Sequence, residues 1–73
     1  MKLTRWKEAK VKKNRLKELR EEKGWTQEQL RILSGVSRDT ISRLENNKII
    51  NVESQTLKKI AKTFRMDIGE IFF

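Results

Sequence analysis

From Asn14 onward, apolar residues recur at helical spacing in short runs, and each run is bracketed by capping signals. No stretch alternates long enough to predict a strand. Leu16 and Leu19 share one stripe of a first predicted helix over 14–23, with Asn14 as N-cap and Gly24 as its stop. Trp6, Ala9 and Leu16 also fit a longer helix beginning near Thr4. Thr26 and Gln29 form a capping box, with Trp25 and Leu30 in staple positions, so a second helix is predicted to Ser34 with Gly35 ending it. Ser37 caps a third over 38–46, stapled by Val36 and Ile41, and Asn47 is its expected left-handed end. A fourth follows over 53–64, and Asp67 opens a short fifth with Met66 and Ile71 as its staple.

The inward set is then Leu16, Leu19, Trp25, Leu30, Leu33, Val36, Ile41, Leu44, Leu57, Ile60, Phe64, Ile68 and Ile71. The expected fold class is all-α, a compact bundle of five short helices.

Charge adds a functional constraint. The chain of 73 residues carries a formal charge of +8 and has room for one small domain. Residues 1–13 hold six Lys/Arg against Glu8 alone, which separates a basic N-terminal extension (1–13) from the helical unit (14–73). Such a balance calls for a polyanionic partner, nucleic acid or an anionic surface. The sequence lacks cysteine, histidine and proline, which removes disulfides, thiolate metal sites and histidine acid–base chemistry. Its carboxylates are spread along amphipathic helices, so neither enzyme activity, a metal nor a cofactor is expected. No apolar run nears the roughly 20 residues of a membrane span, and a soluble, cytoplasmic protein is expected. The arm's Leu3, Trp6 and Val11 are too few for an amphipathic membrane face.

Two short helices joined by a turn through Gly35 and Val36 form a helix-turn-helix pattern. The ordered set Arg20, Gly24, Thr26-Gln27, Leu30, Gly35-Val36-Ser37, Ile41-Ser42, Glu45-Asn46 and Leu57 resembles the Cro and lambda-repressor-like (Xre-type) family over about 14–72. The resemblance implies a five-helix lambda-repressor-like DNA-binding domain whose third helix enters the major groove of double-stranded DNA. It departs from the family pattern at Arg31, where a small residue usually stands, and at Asn47 and Arg65, where glycine usually ends a helix.

If Ile41 and Leu44 face inward, the 3.6-residue period turns Arg38, Asp39, Ser42 and Arg43 outward, and these are the candidate base contacts. Arginine reads guanine O6 and N7 bidentately, and Asp39 suits a cytosine amino group or the positioning of Arg38. The resemblance assigns phosphate contact to Gln27, Asn46 and Lys48. Thr26, Ser37 and Thr40, at the two helix starts, join them as phosphate candidates. It also assigns a structural salt bridge to Arg20 and Glu45.

The arm is suited either to following the DNA backbone or to a solvating role, and Trp6 suggests packing beside the first helix. Ile71-Phe72-Phe73 leaves an aromatic without an obvious place, and the resemblance implies pairing through the fifth helix, so a homodimer on DNA is expected; the alternative is that Phe72 caps the monomer core and Phe73 frays. A repressor of prokaryotic or phage type is the leading function. An antitoxin-like or accessory module, meeting a regulatory protein partner through Ile49, Ile50, Phe72 and Phe73, is the alternative.

Overall fold

Capping residues mark the start of three of the helices, those opened by Thr26, Ser37 and Asp67. The computed structural model describes residues 8–11, 13–48 and 51–73; Trp6, Ile49 and Ile50, which carried expectations above, lie outside them. In chain order the elements are β1 (Glu8–Lys10), α1 (Leu16–Glu22), α2 (Gln27–Ser34), α3 (Arg38–Glu45), β2 (Asn51–Glu53), α4 (Ser54–Phe64) and α5 (Ile68–Ile71). Thr26 Oγ1 accepts the Gln29 N–H at 3.0 Å while the Thr26 N–H donates to Gln29 Oε1 at 2.8 Å, closing the box that starts α2. Ser37 Oγ accepts the Thr40 N–H at the start of α3. The Asp67 N–H donates to Glu70 Oε1 at 2.8 Å and starts α5.

Helix ends follow one geometry three times. Gly24, Asn47 and Arg65 have φ of 74°, 57° and 58°. The next N–H turns back to a carbonyl in the last turn: Trp25 to Arg20, Lys48 to Arg43 and Met66 to Ala61. Asn47 and Arg65 therefore do adopt the left-handed backbone in place of the family's glycine, at a steric cost that glycine would not carry. α1 starts at Leu16, later than the predicted start at 14, because the chain before it pairs with the C-terminus: the Arg15 N–H donates to Ile71 O at 2.8 Å, and Asn14 bridges to Phe72.

The core gathers Leu16, Leu19, Leu30, Val36, Ile41, Leu44, Leu57, Ile60, Ala61, Phe64 and Ile71, with Trp25, Met66 and Ile68 half-buried against it. The Trp25 and Phe64 rings meet at 5.3 Å between centroids, tilted by 39°. Three further residues, Val11, Val52 and Phe72, are also buried there.

Those three mark where the structure departs from the sequence reading. The helical domain carries a two-stranded antiparallel ribbon in which Glu8, Ala9 and Lys10 pair with Glu53, Val52 and Asn51. Three-residue strands have no readable alternation, and their partners lie far apart in sequence. The ribbon carries the packed unit back beyond the boundary at Asn14, and burial of Val11 and Val52 anchors a pairing that is marginal by itself. Phe72 fills the core and is not available to a second copy through its side chain. Phe73 is 55% exposed, yet its backbone exchanges two hydrogen bonds with Lys13. Leu33, expected inward, is 54% exposed, because α2 packs on α3 and α4 through the face holding Leu30 and Ser34.

Two stability measurements follow. Val11→Ala should cost about 2 kcal/mol in urea unfolding, the worth of two buried methyl groups with little relaxation; a solvated tail would give no change. Arg65→Gly should raise stability by about 0.5–1 kcal/mol, seen as a higher urea midpoint at constant slope.

Candidate nucleic-acid interface

The turn between α2 and α3 is held from inside. Ser34, buried in the last turn of α2, donates from Oγ to Leu30 O at 2.7 Å and accepts the Val36 N–H at 3.1 Å. Between them Gly35 takes φ 76°, and Val36 is buried. The angle between the two helices is thereby fixed by a hydroxyl on one side and an apolar side chain on the other.

Behind α3 lies the most buried ion pair among the described residues. Arg20 Nε donates to Glu45 Oε2 at 2.6 Å and Nη2 to Oε1 at 3.1 Å, a bidentate fork, while Nη1 donates to Trp25 O at 2.7 Å. Gln27 Nε2 donates to Glu45 Oε1 at 3.0 Å. The two charged side chains are only 11% and 3% exposed. The hydrogen bond to Glu45 raises the Arg20 pKa above its already high value against the opposing effect of burial, so the guanidinium stays charged. One carboxylate near the end of α3 thus ties together α1 and the first residue of α2, and its arginine partner holds the loop between them.

With Ile41 and Leu44 fully buried, the opposite face of α3 carries the exposed Arg38, Asp39 and Arg43, with Ser42 half-buried. Arg43 Nη1 lies 3.8 Å from Asp39 Oδ2, so Asp39 pairs within its own helix with Arg43 and not with Arg38. This solvated contact is worth little and yields readily to another partner. Arg38 instead adds a small pull on Glu28, whose carboxyl is held below its ordinary range chiefly by its hydrogen bond with Arg31. Arg31 points its guanidinium outward onto Glu28, which is how its bulk is accommodated where the family has a small residue.

Among the phosphate candidates, Asn46 and Lys48 are exposed beyond the end of α3. Thr26 and Ser37 are exposed helix caps, and Thr40 Oγ1 accepts from Ser37 Oγ at 2.9 Å. Gln27 is half-buried, with its amide engaged by Glu45. In the first turns of α2 and α3 the Gln29 and Thr40 N–H groups are taken by the Thr26 and Ser37 hydroxyls, and the N–H groups before them lack acceptors within their helices.

Sequence reasoning missed two features here. The Gln27–Glu45 bond joins residues from different helices, and Asn14, read only as a cap, reaches the far end of α3. No local pattern signals either. On α2, Ile32 (64% exposed) and Leu33 line a groove of about 190 Å³ with Trp25 and Gln29. No helix among the described residues is long and apolar enough to cross a membrane.

Two short helices locked across a glycine turn, the second presenting a polar face, define a helix-turn-helix DNA-binding domain. A family model described as helix-turn-helix, of the Cro and Xre-like type, matches residues 16–71, and the chain belongs to that family. DNA is the partner and DNA binding the function that membership carries, in a family that is typically non-catalytic. No curated protein matches the chain.

The ion pair makes a direct prediction. Glu45→Gln leaves the Arg20 guanidinium buried without its counter-charge and should cost about 3 kcal/mol in urea unfolding. A loss below about 1 kcal/mol would place the pair among solvated surface bridges.

Proposed function

We propose that the protein is a cytoplasmic, sequence-specific regulator of transcription, a small repressor of prokaryotic or phage type that reads the major groove with α3. The observation that carries this reading is the polarity of that helix: Ile41 and Leu44 are fully buried, while Arg38, Asp39, Ser42 and Arg43 share the outward side. In this reading the two arginines address guanine edges and Asp39 a cytosine amino group. Thr26, Gln27, Ser37, Thr40, Asn46 and Lys48 meet phosphates and set the register. Excess positive charge supplies the non-specific attraction that brings the domain to DNA. Two copies bind half-sites about one helical turn apart, with exposed Phe73 beside α5 as the aromatic left for contact between them.

A second reading, an accessory or antitoxin-like module contacting a regulatory protein, draws support from Ile32 and Leu33, which leave apolar surface open on α2. In that case those two residues, and not the α3 face, would carry the main contact.

Selection from a random pool of duplex DNA separates the readings, since a specific regulator enriches a defined motif and an accessory module enriches none over scrambled DNA. On the selected site, Arg38→Ala should cost about 1–3 kcal/mol and relax one base position. Lys48→Ala should weaken all sequences alike and make the salt dependence shallower by about one unit of slope. An unchanged motif with Arg38→Ala would remove that residue from base contact.

A further inference from the structure

We infer that Asn14, which precedes the matched family segment, is a positioning residue for DNA binding; the inference rests on the phosphate role proposed for Asn46 and Lys48. The Asn14 side chain uses all of its amide. Its Oδ1 accepts the Leu16 N–H at 3.0 Å, and its Nδ2 donates to Leu44 O at 2.9 Å and to Asn47 Oδ1 at 3.2 Å. The flipped amide would set oxygen against Leu44 O and lose the bond to the Leu16 N–H, so the hydrogen-bond network selects this orientation.

These bonds reach across 30 and 33 residues of sequence to the one place where α3 ends. There Asn47 holds its left-handed backbone without being glycine, and its N–H also donates to Leu44 O. Asn46 and Lys48 stand on either side of that residue, so the direction of both side chains depends on its geometry.

Asn14 is itself held firmly. Lys13 and Phe73 exchange backbone bonds of 2.6 and 2.8 Å, the Arg15 N–H donates to Ile71 O, and Asn14 bridges to Phe72. The far end of the same loop is tied down where Asn51 and Val52 pair with β1. The end of α3 and the strand β2 are therefore both held by the N-terminal segment, the first through Asn14 and the second through β1, and the C-terminal tail holds Asn14 in turn.

Asn14→Ser tests this, because serine keeps an acceptor for the Leu16 N–H and is too short to donate to Leu44 O. In the free protein, amide exchange at Asn47 and Lys48 should quicken about threefold to tenfold, the worth of the part-buried bond to Leu44 O with little added by the exposed one to Asn47 Oδ1, with Ile60 and Ala61 in α4 unchanged. On the DNA site selected by the wild type, affinity should fall by a similar factor, the motif should stay the same, and the salt slope should become shallower by about one. Adding Asn47→Gly, which takes the left-handed backbone without support, should return most of the affinity. Unchanged exchange at Asn47 and Lys48 would overturn the hold of Asn14 on the end of α3, and exchange rising equally in α4 would reduce Asn14 to a general stability residue. Faster loop exchange with unaltered affinity and slope would overturn its role in binding. If the wild type selected no motif at all, the regulator reading would fail, and the exchange comparison would still decide that hold.

Discussion

The structure depends first on one buried ion pair. Glu45 sits near the end of α3, and its two carboxylate oxygens take the fork of Arg20 from α1 and the amide of Gln27 from α2. In so small a domain, few apolar side chains are available to set the angles between short helices. A bidentate contact specifies direction as well as distance, which dispersion between leucines does not. Burial makes the arrangement strict, since either charge without the other is costly. The outward side of α3 is thus oriented from behind, through Glu45 and its partners on α1 and α2.

The remaining constraints act on the ends of elements. Asn47 and Arg65 stop α3 and α4 in a backbone region that glycine occupies more cheaply. At Asn47 a long-range side-chain contact from Asn14 accompanies that backbone. Nothing in the structure explains the choice of arginine at position 65. The N-terminal ribbon and the C-terminal tail, which meet at Lys13 and Phe73, join the two ends of the described chain into the same packed unit.

Much of the fold was legible because capping chemistry is local. Thr26 with Gln29, Ser37 with Thr40, and Asp67 with Glu70 announce their helix starts within four residues, and helical spacing identifies the buried positions of α3 and α4. Leu33 misled because the period tells which residues share a stripe and not how wide the packed face is. Of the candidate interface, the outward set on α3 followed from burying Ile41 and Leu44. The partner of Asp39 did not, since Arg38 and Arg43 both lie within its reach in sequence and only the rotamers choose Arg43.

The sequence by itself determined the number and type of helices, the position of the turn and the polar side of α3, because each is set by neighbours within one or two helical turns. Only the tertiary structure decided that Val11, Val52 and Phe72 belong to the core, that three-residue strands pair across more than half the chain, and that Asn14 reaches the end of α3. Those outcomes depend on which surfaces remain unburied once the helices have packed, and a pattern read along the chain holds no record of them. The family's helices were written locally; what holds the end of α3 in place was settled by contacts between residues about 30 or more positions apart.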